Sequence, residues 1–183
     1  MAFEHIEFWT ANGIFSNNSI SRMLEVEFTS ELLIAQMDGM QDKKKSIDTF
    51  YADYDEDFDD RDLHLDRFRT TIGTIAESLG DTLAEGEFSR TPQFYTLFCA
   101  TYHRLFGLPN FALATPKRKK LNAGESQSLR EATQRLSTSI SSHKRGEQVP
   151  KSHAAFIAAS ISQTDNIRPR TDRLKKLYEE AFL

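Results

Sequence analysis

The chain has 183 residues, of which 39% are hydrophobic and 27% are charged, and its formal net charge is −4. This length and composition are typical of one globular domain that buries enough surface to fold without disulfides or metals. Cys99 is the only cysteine, so an intramolecular disulfide is excluded and a cytoplasmic location is expected. No run of about 18 apolar residues predicts a membrane span, and the first residues lack the pattern of a signal peptide.

The hydrophobic pattern predicts helices in chain order over about 20–38, 43–54, 65–84, 92–106, 124–142, 152–162 and 169–181. An acidic loop over 53–62 precedes the third of these helices. Thr91-Pro92 predicts the start of the fourth, which is apolar nearly all round and is the candidate for a central buried helix. With no alternating strand pattern and no internal repeat, the sequence predicts an all-α fold, an irregular multi-helix bundle, in a single domain over 1–183.

The charge is unevenly distributed along the chain. Residues 1–91 contain 8 Lys and Arg against 20 Asp and Glu, a net charge of −12, whereas residues 92–183 contain 15 against 7, a net charge of +8. This asymmetry is compatible with two faces that pair with each other, or with a basic face that binds a polyanion. Ordinary solvated helix faces are the third interpretation.

Two patterns resemble catalytic or metal sites but do not match their requirements. The alternating acids from Asp53 to Asp59 suggest a calcium loop, but the sixth and twelfth positions hold Phe58 and His64 instead of Gly and Glu. Cys99 and His103 share one helical face and form a possible nucleophile pair, although a packed thiol and a hydrogen-bonded histidine fit so apolar a helix better. No zinc, phosphate-loop or dinucleotide motif is present, so neither a metal nor a cofactor is expected.

The basic residues are the stronger candidates for a binding site. They lie in loops, in a turn and at the start of the last helix, where side chains can reach phosphates. No aromatic residues are interleaved with them, so stacking on bases is not indicated. The candidate nucleic-acid contacts are Lys117, Arg118, Lys119, Lys120, Lys144, Arg145, Arg168, Arg170 and Arg173.

The N-terminal aromatic residues Phe3, Phe8 and Trp9 are candidates for a partner interface. Exposed aromatic side chains often anchor protein–protein contacts. The alternative is that these three side chains close the helical bundle.

Three stretches resemble the helical C-terminal portion of the GmrSD-like family of modification-dependent restriction and phage-defence proteins. They are FWTANGIFSNNSISRM at 8–23, LEVEFTSELLIAQMDGMQDKKKSIDTFYADYD at 24–55 and SRTPQFYTLFCATYHRLFGLP at 89–109. They span about the first 110 residues, an acidic family-like half, whereas the basic half over 111–183 matches only in helical character. The stretches resemble the family in helix packing and contain no catalytic motif.

The resemblance implies that catalysis belongs to a part of the family that this chain lacks. In that family the functional residues lie in an N-terminal ParB/sulfiredoxin-like domain with an Asp-Gly-Gln-Gln-Arg-type motif, associated with nucleotide hydrolysis, and some members add an HNH nuclease domain. Neither motif occurs here, so no catalytic residue is carried over.

These observations lead to three functional expectations. The first is a non-catalytic helical module that packs on a ParB/sulfiredoxin-like nucleotide-binding domain, in cis or in trans, and contacts DNA. The second is a protein–protein scaffold without nucleic-acid binding. The third is an enzyme that uses Cys99 and His103.

Overall fold

A computed structural model describes residues 1–54, 58, 60–113 and 120–183, without the side chains of 43–46. Its regular structure is helical, which confirms the all-α fold. Short 3₁₀ turns cover Phe3–His5, Glu87–Ser89 and Lys151–His153. The ten α-helices of the described residues are α1 (Ile6–Ala11), α2 (Asn17–Ser21), α3 (Leu24–Asp38), α4 (Lys43–Asp53), α5 (Arg61–Leu79), α6 (Thr82–Glu85), α7 (Thr91–Phe106), α8 (Ala123–Lys144), α9 (Ala154–Ile161) and α10 (Ile167–Phe182).

Local sequence signals account for several helix boundaries. Pro92 occupies the first turn of α7, where its missing N–H costs nothing. A reciprocal capping box between Asn122 and Glu125 starts α8. Gly39 ends α3 with φ +85°, and a Cβ there would lie 2.4 Å from the carbonyl oxygen of Pro109. Both the backbone conformation and the close approach therefore require glycine at this position.

Two of the predicted helices are interrupted. The predicted helix over 20–38 is split into α2 and α3 at Met23, which has φ +57°. The predicted helix over 65–84 ends at Leu79, because Gly80 takes up φ +52° and residues after it form the separate short helix α6. Leu83 is still buried, since α6 turns it back into the core.

Helix α7 is the centre of the molecule, as its apolar sequence predicts. Every residue from Gln93 to Leu105 is buried, and α7 packs against α3, α5 and α10. Helix α10 also packs against α8 and α9. One apolar core includes Leu32 and Phe68 from the acidic half together with Leu136 and Leu174 from the basic half. In the described part of the chain, no helix is both long enough and apolar enough to cross a membrane.

Candidate functional site

Only part of the predicted basic surface lies on the exterior and within the described residues. Lys117, Arg118 and Lys119 lie outside the described residues. Lys120, the last residue of that cluster, is exposed, and Arg168 is exposed in the first turn of α10. These two residues are therefore compatible with the predicted phosphate contacts.

Lys144 and Arg145 are exposed but form ion pairs within the chain. Lys144 Nζ donates to both carboxylate oxygens of Glu87 at 2.7 Å. Burial opposes ionisation of Glu87, but the bond and charge of Lys144 outweigh it and lower the pKa of Glu87. Arg145 forms a two-point bond with Glu147, which lowers the pKa of Glu147 to about 2. A polyanion would therefore compete with carboxylates for both cations.

Arg170 and Arg173 are not surface residues, and their assignment as phosphate contacts was wrong. Their side chains are buried, with total exposures of 3% and 0%. Arg173 donates to Thr96 Oγ1 at 3.0 Å and to the carbonyl oxygens of Ala159 and Thr164 at 2.6 and 2.8 Å. Burial, and secondarily the charge of Arg170, lowers the pKa of Arg173 to about 10. Its hydrogen bonds hold α10 against α7 and the end of α9.

Arg170 joins the first and last thirds of the chain. Its Nη2 donates to Glu31 on α3 at 2.6 Å, its Nη1 donates to the carbonyl of Gln41 at 3.0 Å, and its guanidinium carbon lies 4.0 Å from the centre of the Tyr95 ring. The sequence carried a signal for this burial. Arg170 and Arg173 share the apolar stripe of α10 with Leu174 and Leu177, at spacings of three, four and seven residues.

The predicted aromatic interface is also wrong for its central member. Trp9 is fully buried, and its ring centre lies 5.2–6.3 Å from those of Phe8, Phe15, Phe28 and Phe94. Phe8 packs partly buried against the same core, whereas Phe3 is 71% exposed. Trp9 and Phe8 therefore close the bundle, and of the three only Phe3 offers an exposed aromatic surface.

Cys99 and His103 do not interact with each other as a nucleophile and a base. The ring nitrogens of His103 bond to the backbone: Nε2 donates to the carbonyl of Leu113 at 2.8 Å, and Nδ1 accepts from the amide of Leu108 at 3.0 Å. Cys99 is fully buried, and burial raises the pKa of its thiol to about 12. A thiol in this environment is protonated and unreactive near neutral pH.

The acidic pattern between Asp53 and Asp59 gives no metal site within the described residues. Asp55, Glu56, Asp57 and Asp59 lie outside them. In the part of the chain that is described, no group of three or more His, Cys, Asp or Glu side chains is arranged to hold a metal ion.

An apolar cleft between α3 and α4 is a feature that sequence reasoning missed. Its volume is about 280 Å³, and its lining consists of Ser30, Leu33, Ile34, Met37, Ile47, Phe50, Tyr51, Tyr54 and Phe58. The Tyr51 hydroxyl lies 2.7 Å from that of Ser30, where either can donate. Tyr51 is 56% exposed and Tyr54 is 43% exposed, so aromatic surface remains open to solvent at the rim. The cleft arises because α4 packs on α3 without filling the space between the two helices.

A chain of three polar side chains links α8, the turn before α9, and α10. Ser139 Oγ lies 2.7 Å from His153 Nδ1, and His153 Nε2 lies 2.8 Å from Glu180 Oε1. Ser139 and His153 line one cavity of about 530 Å³. Half-burial opposes ionisation of Glu180, but bonds from Lys176, His153 and Arg135 outweigh it and lower the pKa of Glu180. Hydrogen bonds thus join a carboxylate, an imidazole and a hydroxyl, and Ser139 and His153 are among the residues that line the cavity.

Comparisons with protein-family models, with curated proteins and with solved structures found no match to this chain.

Proposed function

We propose that the chain is a helical docking module of a GmrSD-like restriction system, which packs on a ParB/sulfiredoxin-like nucleotide-binding domain and contacts DNA. The residues at 8–55 and 89–109 that resemble the family support the choice of system. The observation that carries the docking role is the apolar cleft between α3 and α4 with its exposed tyrosines. Exposed apolar patches of this kind are typical of protein–protein interfaces.

Hydrogen bonds to α10 fix the start of α4, one wall of the cleft, which favours docking without a large rearrangement. The loop before α4 is tied to the start of α10, because Asp42 Oδ1 accepts from the amide of Ile167 at 2.6 Å. Arg170 bonds the carbonyl of the preceding residue, Gln41. Both bonds fix the point at which the chain enters α4. A preformed site loses less conformational entropy when a partner binds.

Charge indicates which face of the partner docks there. Exposed carboxylates of Asp48, Asp53, Asp60 and Asp62 lie on α4, at its end and at the start of α5. A partner surface with apolar side chains flanked by Lys or Arg would complement this arrangement.

Binding in trans tests the docking role. The probe is the ParB/sulfiredoxin-like domain of a GmrSD-like protein, titrated into the chain in a calorimeter. We expect Tyr51→Ala and Tyr54→Ala to weaken binding at least ~10-fold, since truncation of an aromatic anchor commonly costs more than about 1.4 kcal/mol. Phe3→Ala is the matched control, because Phe3 is an exposed aromatic outside the cleft lining. No binding by the unaltered chain, or an equal loss from Phe3→Ala, would refute the docking role.

DNA contact is the second part of the proposal and has its own test. Support comes from the cluster Lys117–Lys120 in the sequence and from the exposure of Lys120. Each lost phosphate contact reduces the slope of log affinity against log salt by about 0.9. Replacing all four residues of the cluster with Ala should therefore flatten this slope for duplex DNA. The double variant Lys144→Ala with Arg145→Ala should flatten it less, since those cations are paired with Glu87 and Glu147.

The salt titration also separates the docking module from a scaffold without nucleic-acid binding. Tight binding with a steep slope that the four-residue variant flattens supports DNA contact. No binding to duplex DNA at low salt, together with binding of the partner domain, would leave the scaffold function alone.

A further inference from the structure

We propose that Ser139 is a nucleophilic serine, activated by His153 and Glu180, that accepts the acyl group of a small carboxylic ester in the cavity beside it. This inference goes beyond the docking role and does not depend on it. It replaces the expectation that this chain is non-catalytic.

The hydrogen bonds place the three side chains in the order that activation needs. The Glu180 carboxylate bonds Lys176 Nζ at 2.8 Å and Arg135 Nε at 3.2 Å and lies 2.8 Å from His153 Nε2. In the His153 tautomer whose Nε2–H donates to Glu180, Nδ1 faces Ser139 Oγ at 2.7 Å and accepts from the hydroxyl. This is the order of nucleophile, base and carboxylate that activates a hydroxyl for attack on an acyl carbon.

Ser139 is 5% exposed and lines the cavity, so a substrate would meet its hydroxyl from within that cavity. Ser139 and His153 lie in its wall, whereas Glu180 is behind His153 and is not part of the lining. Val149 and Pro150 contribute apolar surface, and the volume of about 530 Å³ suits a small ester. His153 is held at the end of a 3₁₀ turn and is 7% exposed, so its ring is fixed by packing. The site is therefore built on rigid elements.

The proposed reaction balances without a cofactor. Ser139 Oγ bonds to the acyl carbon while its proton passes to His153 Nδ1. The ester C–O bond then breaks, and Nδ1 returns that proton to the departing alkoxide. Water next attacks the acyl carbon of the acyl-serine and gives a proton to His153 Nδ1. The bond between the acyl carbon and Ser139 Oγ then breaks, Oγ regains the proton from Nδ1, and the carboxylic acid leaves.

Stabilisation of the negative oxygen would come from a side chain. Ser139 lies within α8, where the backbone amides are used in helical hydrogen bonds, so no backbone oxyanion site is formed there. The cation in the described lining is the half-exposed guanidinium of Arg135, which the oxyanion would share with the carboxylates of Glu180 and Glu131. Loss of one oxyanion donor costs enzymes about 10²–10³ in rate. We therefore expect slow turnover but covalent reactivity at Ser139.

The first experiment is covalent labelling of the unaltered chain with a fluorophosphonate, read by intact mass and peptide mapping. One adduct on Ser139 supports the proposal. No adduct, or an adduct on another serine, overturns it and leaves the three residues as a structural link. Because this measurement uses the unaltered folded chain, it does not depend on whether a variant folds.

Variants distinguish activation from accessibility. Ser139→Ala should lose the adduct, whereas Ser142→Ala, which removes another hydroxyl of the same cavity, should retain it. With p-nitrophenyl butyrate as substrate, Glu180→Gln should lower kcat at least ~10-fold with KM unchanged, because it weakens the orientation of His153 without touching the ester. Circular dichroism confirms that each variant is folded. Equal labelling of Ser139→Ala, or a Glu180→Gln variant with unchanged kcat, would refute the assignment.

Discussion

The buried ion pair between Arg170 and Glu31 makes a sharp prediction about stability. Their side chains are 3% and 5% exposed, and the bond between them is 2.6 Å long. Arg170→Met keeps much of the side-chain volume but removes the cation. It leaves the Glu31 carboxylate in the interior without its guanidinium, and breaking a buried pair in this way costs about 3–5 kcal/mol.

Other contacts of Arg170 are lost in the same variant. The bond to the Gln41 carbonyl is worth about 1 kcal/mol, and the guanidinium placed 4.0 Å from the Tyr95 ring centre is worth about 0.5–2 kcal/mol. These contributions overlap, so we expect a total loss of about 3–5 kcal/mol. For a chain of this length, Tm would fall by about 6–20 °C.

A double-mutant cycle separates the ion pair from the packing. Replacement of both residues by Met removes the Glu31 carboxylate together with the guanidinium, so the double variant should recover about 2 kcal/mol or more relative to Arg170→Met. The assay is urea unfolding followed by circular dichroism, with m-values compared to show that the unfolded states are alike. Arg168→Met is the control: it changes an exposed arginine of the same helix and should cost less than about 0.5 kcal/mol.

Two results would refute this reasoning. One is a loss below about 1 kcal/mol in Arg170→Met, which would mean that the buried Glu31 carboxylate does not depend on Arg170. The other is a double variant whose loss equals the sum of the single losses, because contact residues in one buried network should be coupled.

Three further predictions concern single buried groups. Burial lowers the pKa of His103 below its ordinary 6.5, so the unfolded chain binds a proton at His103 more readily than the folded chain does. The free energy of unfolding should therefore fall as the pH drops through about 6.5, and it should fall less steeply in His103→Gln. Urea unfolding at about pH 7.5 and at about pH 5.5 measures this difference. Cys99 should resist iodoacetamide at about pH 8 in the native chain and react fully in urea; fast native labelling, read by mass, would contradict its burial. Glu25 is 1% exposed, and neither of its carboxylate oxygens has a hydrogen-bond partner among the described residues. Glu25→Met should therefore raise the free energy of unfolding, measured in urea, by about 1–3 kcal/mol. A lower free energy of unfolding in this variant would show that the carboxylate has hydrogen-bond partners in the folded chain.

Local signals made most of the fold predictable. Thr91-Pro92 located the start of α7, and the unbroken apolar sequence after it identified the central helix, because a helix without a polar face must be buried. The interruptions at Met23 and Gly80 were missed. Each depends on one residue adopting positive φ, and hydrophobic periodicity is continuous across both positions.

The candidate site was less predictable because its residues meet only in three dimensions. Ser139, His153 and Glu180 come from three elements separated by 14 and 27 residues, and no spacing rule connects them. One weak signal existed: Ser139 lies three residues after Leu136, on the apolar stripe of α8. A hydroxyl on such a stripe needs a buried partner, but the sequence does not identify which residue provides it.

The uneven charge of the chain is partly neutralised inside the molecule. Among the described residues, Arg170 pairs with Glu31 and Lys144 pairs with Glu87, so cations of residues 92–183 meet carboxylates of residues 1–91. The first interpretation of the asymmetry, that the two faces pair, therefore applies to these residues. A polyanion can recruit at low cost only the cations that remain outside such pairs. The salt dependence of DNA binding should consequently report the cluster Lys117–Lys120 and not the total charge of residues 92–183, and replacing Arg170 should alter folding stability instead of that dependence.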